Sequence, residues 1–436
     1  MITIRLRALL GKLASIKGEL AWVFTGQAIA LAGGVVGVRL LTELLDPAAY
    51  GELALGVTVA TLVNQTVLGP LGNGVTRFYA PAVEQDDLSG YLNAVRRLVL
   101  LATGFIVLMI MLSVIGLMIA GRTKWIAIAI AALTFAIFSG YNSILSGIQN
   151  AARQRFIVAL HQGMESWARF LVAAGLMVLL GATSTVAMVG YAVAVILVLG
   201  SQYVFFRKTV PKNMHEVDDK EKDWQKRIWK FSWPISIFGI FTWAQLASDR
   251  WALGFFATMQ EVGLYAVLFQ LGYYPMAMAS GMASQFLAPI FYQRAGDASD
   301  SQRNANVNNL IWRLTKLSLA ATGAIFLVAF LFHTQIFRIL VAKEYAPVSH
   351  LLPWMLLAGG IFAAGQTIAL SLMSQMKTHT MMVAKIVTAL LGITLNFAGA
   401  YWYGTTGLVI ASVAFSALYF FWMAALAKNE EIEKCS

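Results

Sequence analysis

Long apolar runs recur along the whole sequence, and they constrain the fold more than any other feature. About twelve runs of about 20 residues are long enough to cross the roughly 30 Å hydrocarbon core of a bilayer as helices. They cover residues 20–44, 50–76, 98–120, 125–148, 157–180, 184–206, 231–256, 262–290, 314–333, 349–373, 380–402 and 405–427. Charged residues make up only 12% of the chain, whereas soluble domains carry about 25%. The sequence therefore predicts an all-α polytopic membrane protein.

Lysine and arginine are distributed unevenly between alternate loops, and this predicts the topology. If both termini lie on one side, the loops of that side hold about 25 of these residues, Lys377 and Lys385 included, and the alternate loops hold about 4. Positively charged loops remain in the cytoplasm, so both termini are expected to be cytoplasmic. The segment 1–17 lacks the apolar core and cleavage site of a signal peptide, so the first helix is expected to stay as an anchor.

Two stretches of the sequence are similar at a distance of about half the chain. Arg39 stands 12 residues before Gly51, Arg250 stands 13 residues before Gly263, and the two glycines are 212 positions apart. Each stretch follows an apolar run and precedes a short turn and another apolar run. We interpret this as an internal duplication, which in membrane proteins usually produces two related bundles; the alternative is chance similarity of two helix ends.

The longest polar segment predicts the boundary between the two halves. The prediction is an N-terminal six-helix bundle at 1–206, a cytoplasmic linker at 207–230 and a C-terminal six-helix bundle at 231–436. Within the linker, Trp224, Ile228 and Trp229 alternate with lysines. This pattern is also compatible with a short helix lying at the membrane surface.

Three polar residues share one face of the fifth apolar run. His161, Glu165 and Arg169 stand four residues apart, which places them on one side of a helix. Arg169 lies 14 residues beyond Arg155, about 21 Å along a helix and so near the bilayer midplane. Glu165 and Arg169 could form a buried structural pair, or the face could line a hydrated cavity where Arg169 meets an anion.

The outer ends of the first and seventh apolar runs carry further charges. Arg39 and Glu43 stand four residues apart, and Asp249 and Arg250 are adjacent, so the latter two point about 100° apart and are not expected to satisfy each other well. We take all four as gate candidates, with Arg39–Asp249 and Glu43–Arg250 as the expected pairs. The alternative for Arg39 and Glu43 is that they reach the outer interface.

The second apolar run contains a cluster of helix breakers. Its sequence LGPLGNGVTRFYAP places three glycines and a proline between residues 69 and 74. Irregular backbone at membrane depth is tolerated only beside protein or a wet cavity. Asn73 and Arg77 in this stretch are therefore added as candidates for substrate contact.

Several functional classes are disfavoured by what the sequence lacks. It has no phosphate-binding loop, no metal-spaced histidine and glutamate cluster and no nucleophile with a placed base, so no enzyme activity, metal or cofactor is expected. The single cysteine, Cys435, excludes an internal disulfide. The formal net charge of +11 is assigned mostly to loops beside anionic lipid, and no nucleic-acid partner is expected.

Three stretches carry a resemblance to a known family. They read VRLLTELLDPAAYGELAL at 38–55, LGPLGNGVTRFY at 68–79 and DRWALGFFATMQEVGLY at 249–265. The chain resembles the polysaccharide transporters of the multidrug/oligosaccharidyl-lipid/polysaccharide exporter superfamily, which include O-antigen and exopolysaccharide flippases. The resemblance implies a V-shaped pair of six-helix bundles around a central cavity in the bacterial inner membrane. It also implies that Arg39 and Arg250 occupy recurrent basic positions of the family at the outer ends of the first and seventh helices, and Arg169 a basic position in the fifth.

The implied activity is transfer of a polyprenyl-diphosphate-linked oligosaccharide to the outer leaflet for lipopolysaccharide O-antigen, exopolysaccharide or capsule synthesis. The expected partners are this lipid-linked substrate, membrane lipids and a polymerase or glycosyltransferase complex. The chain lacks the two extra helices of the peptidoglycan-precursor flippases, which disfavours that substrate. A multidrug/cation antiporter and a non-transporting scaffold of a polymer-synthesis complex are the alternatives. The sugar, the coupling ion and the oligomeric state remain open at this stage.

Overall fold

The computed structural model describes residues 25–208, 219–295, 300–375 and 378–433, and every regular element within these ranges is helical. The first six helices are α1 (Thr25–Leu44), α2 (Pro47–Glu84), α3 (Leu88–Ile119), α4 (Ile126–Ala151), α5 (Arg155–Leu180) and α6 (Ser184–Arg207). They are followed by α7 (Asp219–Phe256), α8 (Met259–Ala295), α9 (Ser301–Leu340), α10 (Leu352–Ser374) and α11 (Thr378–Glu433). Short 3₁₀ turns at Thr123–Trp125 and Lys343–Leu351 precede α4 and α10.

The described helices confirm the predicted fold class. Ten helices are long and apolar enough to cross a membrane. The last of them is interrupted at Gly404, where φ is 55° and ψ is −134°, so it consists of two helical arms. With α7 added, the two arms counted separately and α9 counted as one helix with a kink at Phe332, the described ranges contain twelve long helical segments. The break at Gly404 coincides with the gap predicted between the last two apolar runs.

The second arm of α11 begins at a residue that is hydrogen-bonded to a carboxylate of α8. The Glu261 Oε2 atom in α8 accepts hydrogen bonds from the Thr405 backbone N–H at 3.0 Å and from its hydroxyl at 3.1 Å. The first N–H groups of a helix have no partner within the helix, and they favour a negative charge. Glu261 therefore caps the arm that follows the break.

The breaker cluster in α2 has a smaller effect than predicted. The helix continues through residues 69–74, and the irregularity is a π-helical turn at Asn64–Leu68 that precedes them. The Gly69 N–H donates to the Asn64 carbonyl, and a Cβ on Gly69 would lie 2.4 Å from that oxygen. Glycine thus permits the wide turn without breaking the helix. A second π-helical turn lies at Phe269–Tyr273 in α8.

The predicted surface helix in the linker is instead the beginning of α7, which runs without interruption for 38 residues from Asp219. Trp224 and Ile228 are buried, and the Trp224 indole N–H donates to Asp87 Oδ2 at 2.7 Å. Ile228 packs beside Gly74 of α2. These contacts hold the polar start of α7 on α2 and α3, which hydropathy alone did not indicate. Residues 209–218 of the predicted linker lie outside the described ranges.

The chain forms two compact units that do not follow chain order strictly. Unit 1 combines the described residues of Met1–Gly37 with Leu55–Trp243, and unit 2 combines Val38–Ala54 with Ala244–Ser436. Spatial grouping thus differs from the predicted halves, 1–206 and 231–436, in the segments 38–54 and 219–243.

Small residues allow close helix packing in unit 1. A Cβ on Gly190 of α6 would lie 2.4 Å from the Cα of Ala173 of α5. Gly33 and Gly37 of α1 lie against the rings of Trp167 and Phe170. Close approach through small residues is the usual basis of helix association where no hydrophobic driving force acts between helices.

The two glycines of the internal repeat contact each other in unit 2. A Cβ on Gly51 would lie 2.1 Å from the Met259 carbonyl oxygen, and a Cβ on Gly263 would lie 1.8 Å from the Pro47 carbonyl oxygen. Each glycine therefore meets the carbonyl four residues before the other glycine. This reciprocal contact is what a local two-fold relation between the starts of α2 and α8 produces, and it supports the interpretation of an internal duplication.

Candidate functional site

His161 is enclosed by protein in unit 1. Its side chain is among the buried polar groups, with 1% of the residue exposed. The ring contacts the Ile157 carbonyl at 2.7 Å, the Ser201 hydroxyl at 3.2 Å and the Phe205 ring at 5.5 Å between centroids. Because both nitrogens have partners, this geometry fits packing between α5 and α6 and not a face open to a hydrated cavity.

Glu165 and Arg169 do not form the direct pair that was one of the two sequence interpretations. The Asn142 amide of α4 donates to Glu165 Oε2 at 2.6 Å. The Arg169 guanidinium lies over the rings of Phe170 and Tyr191, at 4.9 and 5.2 Å from their centroids. Glu165 is near enough to attract Arg169 electrostatically. Within the described residues, however, no carboxylate oxygen lies within 4.0 Å of an Arg169 guanidinium nitrogen, the distance that defines an ion pair.

The aromatic rings leave part of the arginine without a partner. Arg169 Nε is buried and makes no hydrogen bond. Cation–π contact contributes about 0.5–2 kcal/mol, whereas an arginine at a helix centre costs about 2.5–3.5 kcal/mol on insertion scales. Arg169 therefore remains a cation that an anionic ligand would stabilise further.

A buried polar seam in unit 1 was missed from the sequence. Asn142, Ser146 and Gln149 stand at i, i+4 and i+7 of α4, and the buried Gln202 amide of α6 donates to Ser146 at 2.9 Å and to Gln149 at 2.8 Å. The helical spacing in YNSILSGIQN was the signal that could have revealed it. Asn142, with 3% of the residue exposed, is the member of this seam that orients Glu165.

Asn73 and Arg77 lie on an exposed face of α2. Both side chains are exposed, as are Thr76 and Ala80 on the same face. The Thr76 hydroxyl bonds within its own helix to the Gly72 carbonyl. An exposed polar face on a helix of membrane-spanning length fits contact with water or a polar ligand better than contact with lipid.

Arg39 is anchored within unit 2 at the end of α9. It forms an ion pair with Glu43, and its guanidinium donates to the carbonyl of Val341 and, at 3.4 Å, to that of Arg338. A cation at the last carbonyls of a helix is favourable because these groups carry partial negative charge. The Arg39 guanidinium is therefore already engaged.

Asp249 and Arg250 lie at ion-pair distance, and Arg250 also has partners outside this pair. The Arg250 guanidinium folds back to 3.5 Å from Asp249 Oδ1, and the Arg250 backbone N–H donates to the same oxygen at 2.7 Å. The arginine also bonds the Leu246 carbonyl and lies 4.3 Å from the Phe269 ring centroid. A long flexible side chain overcomes the 100° separation that adjacency imposes.

The expected gate pairs are not found in this conformation. Within the described residues, no ion pair joins Arg39 with Asp249 or Glu43 with Arg250. Asp249 is buried, with 4% of the residue exposed, whereas the Arg39 side chain is 39% exposed. The two pairs thus lie in different environments of unit 2.

A small polar cavity of about 40 Å³ lies beside Asp249. Polar side chains from three helices line it: Gln245, Asp249, Tyr265, Tyr273, Asn396 and Ser412. A site of this volume and polarity has room for one or two water molecules. The cavity can therefore hydrate Asp249 but is too small for a sugar.

A larger cavity in unit 2 is lined by a cation that the sequence analysis counted with a loop. Lys385 lies within α11 and lines a space of about 430 Å³ together with Ser280, Tyr292 and Gln366. Lys385 is the only charged residue among the described residues that line it. Counting lysine and arginine residues in alternate loops cannot distinguish a lysine in the first turns of a helix from one in the preceding loop.

A comparison with profiles of known protein families identifies the family of this chain. The profile described as polysaccharide biosynthesis protein matches residues 18–294, and no curated protein matches the chain.

Solved structures share the fold across almost the whole chain. A multidrug resistance MATE family transporter of the MOP superfamily, in an inward-facing conformation, is 14% identical with a TM-score of 0.71, and the match covers 92% of this chain and 95% of that one. The lipid II flippase MurJ, in an inward closed conformation, is 16% identical with a TM-score of 0.69, covering 94% and 87%. A MOP superfamily transporter from Pyrococcus furiosus is 13% identical with a TM-score of 0.54, covering 94% of each chain. These likenesses confirm the all-helical fold that the resemblance implied.

Proposed function

The chain belongs to the polysaccharide biosynthesis protein family, and we propose that it is a flippase for a polyprenyl-diphosphate-linked oligosaccharide. It moves this lipid from the cytoplasmic to the outer leaflet of the bacterial inner membrane for O-antigen, exopolysaccharide or capsule synthesis. Both termini lie in the cytoplasm. Partners in the same pathway are glycosyltransferases and a polymerase.

The main support for this proposal is the position of Arg169 and the absence of a carboxylate partner for it among the described residues. It lies at the middle of α5, 14 residues from the start of a 26-residue helix, and within the described residues it has no carboxylate at ion-pair distance. A guanidinium can hold a phosphate through two parallel hydrogen bonds. Arg169 is therefore suited to bind one phosphate of a diphosphate, and the aromatic rings stabilise its charge when the ligand leaves.

Two further features support an anionic, sugar-bearing substrate. Asn73 and Arg77 provide an exposed polar face on α2, and Lys385 provides a positive charge in a cavity of about 430 Å³. Ligand pockets typically measure about 300–1,000 Å³. Each unit thus presents at least one cation with polar side chains nearby, without requiring a bound metal.

The membrane potential favours the proposed direction of transport. Moving one charge through 100 mV changes its free energy by about 2.3 kcal/mol. Because the potential is negative inside, an anionic diphosphate gains this energy for each charge that moves outward. An accompanying ion is compatible with this mechanism but is not needed to drive it.

The multidrug/cation antiporter is the second candidate, and the cavity beside Asp249 is the observation that favours it. A buried carboxylate with room for water is suited to bind a cation. However, Arg250 lies at ion-pair distance from Asp249, so the pair carries no net negative charge. The scaffold alternative has no specific observation in its favour.

Complementation of a deletion strain tests the proposal. We expect deletion to abolish the surface glycan and to accumulate its lipid-linked precursor, and Arg169→Ala to behave like the deletion at normal membrane protein levels. Arg169→Lys should restore part of the activity, because a point charge still attracts phosphate. Arg303→Ala is the matched control, since the Arg303 side chain is 63% exposed.

Two outcomes would contradict the proposal. Normal glycan and no accumulated precursor in the Arg169→Ala strain would show that this arginine does not serve transport. Loss of drug or cation resistance with an unchanged glycan would favour the antiporter instead.

A further inference from the structure

A large groove in unit 1 is separate from the residues discussed above. It has a volume of about 1,010 Å³ and lies between α3, α4 and α6. Leucine, isoleucine and valine form most of its walls. We call it the α3–α6 groove.

The groove opens on the surface of α3 that faces lipid. In the most apolar 18-residue stretch of α3, only 11% of the residues are buried inside the protein. Leu100 and Tyr203, which both line the groove, are 58% and 50% exposed. A ligand can therefore enter sideways from the bilayer.

One end of the groove is positively charged. Arg96, in the third turn of α3, and Arg207, the last residue of α6, both line it and are both exposed. Within the described residues neither arginine forms an ion pair, and no acidic side chain lines the groove. Two guanidinium groups at one end of an apolar space are complementary to a phosphate that carries hydrocarbon chains.

The dimensions of the groove match one leaflet of a bilayer. From Ile196 to Arg207, α6 advances about 16 Å, which is close to half of the roughly 30 Å hydrocarbon core. At the far end, the Tyr141 hydroxyl donates its proton to the Thr103 hydroxyl, which itself donates to the Val99 carbonyl. The space is therefore polar at the interface and apolar at depth.

We propose that the α3–α6 groove binds an anionic phospholipid of the surrounding leaflet, with its phosphate on Arg96 and Arg207 and an acyl chain along the apolar walls. This site is independent of the proposed transport activity. A phospholipid needs only a phosphate contact and an apolar trench, whereas an oligosaccharide would need polar side chains along the walls.

A glycine in the wall offers a direct test. A Cβ on Gly200 would meet nothing within 4 Å, and the same holds for Gly116, which lies on α3 outside the groove. Gly200→Phe therefore fills the groove without a clash at the Cβ, and Gly116→Phe is its matched control. The double variant Arg96→Gln, Arg207→Gln removes the charge and leaves the groove open.

Native mass spectrometry of the purified full chain measures the binding. With added phosphatidylglycerol we expect one lipid to remain bound to the wild type, at least tenfold more than with phosphatidylcholine. Gly200→Phe and the double arginine variant should each reduce this retention at least tenfold, and Gly116→Phe should not. An elution volume equal to that of the wild type in size exclusion confirms folding. If Gly200→Phe fails to fold, the double arginine variant, whose two positions are exposed, still tests the proposal.

Three results would overturn the proposal. Unchanged phosphatidylglycerol retention in the double arginine variant would mean that the phosphate is not bound at this end. Equal retention of phosphatidylcholine by the wild type would mean that only the apolar walls bind. Displacement of phosphatidylglycerol by an equimolar polyprenyl diphosphate would assign the groove to the tail of the transported lipid.

Discussion

The reciprocal contact of Gly51 and Gly263 predicts a specific energetic coupling between two positions far apart in the sequence. In Gly51→Ala the new Cβ would lie 2.1 Å from a backbone oxygen, and ordinary van der Waals contact begins at 3.4 Å. The helix starts must therefore separate by about 1.3 Å, since backbone atoms cannot rotate away as a side chain can. Overpacking of this kind lowers the free energy of unfolding by about 1–3 kcal/mol. The higher helix propensity of alanine offsets about 1 kcal/mol of this loss.

The double variant distinguishes this contact from two independent ones. Once one alanine has separated the helices, the second finds most of the space it needs. The loss of stability in Gly51→Ala, Gly263→Ala should therefore fall below the sum of the single losses, by about 1–2 kcal/mol. Gly56→Ala is the control on the same helix, because its Cβ would meet its nearest neighbour at 3.4 Å, and it should be neutral or stabilising.

Denaturant titration in mixed micelles, followed by circular dichroism, measures these differences. Single variants as stable as Gly56→Ala would refute the close contact. Losses that simply add in the double variant would show that the two glycines contact different surfaces.

Two further predictions concern the last helix and the topology. Gly404→Ala should destabilise the protein by about 1–3 kcal/mol, because φ is 55° and ψ is −134° there and a Cβ would lie 2.4 Å from Glu261 Oε2; an unchanged unfolding midpoint in the same titration would contradict this strain. Reporter fusions at residue 213 and at the C-terminus should both report the cytoplasm, because about 25 basic residues were assigned to that side. An external signal from either fusion would invalidate the topology.

The helices could be predicted because their cause is local, whereas the site contacts could not. An apolar run of about 20 residues specifies a spanning helix wherever it occurs. The similar spacing of Arg39 and Arg250 to their glycines indicated an internal duplication, but it did not predict that the two glycines contact each other. The polar beginning of α7 was missed because Trp224 and Asp87 are 137 residues apart, and such a pairing has no local signature.

Partner choice among charged residues was the weakest part of the sequence prediction. Helical spacing showed that Glu165 and Arg169 share a face, but it could not show that Asn142 holds the one and aromatic rings hold the other. Adjacency did not show that the long Arg250 side chain bends back to 3.5 Å from Asp249 Oδ1 while it also bonds the Leu246 carbonyl. Lys385 was counted with the cytoplasmic loops although it lies inside the run 380–402, because a count of basic residues near helix ends does not show which of them lie within the helix.

The hydrogen bonds from Thr405 to Glu261 have a consequence for biosynthesis. The two residues are separated by 144 positions, so the carboxylate is already in the growing chain when the last helical arm is made. The first amides of that arm have no partner within their own helix, and because Thr405 is buried, with 6% of the residue exposed, leaving its N–H unpaired would be costly. The final hairpin thus completes its backbone hydrogen bonding only after it meets α8, which makes the order of helix insertion part of how this half of the protein assembles.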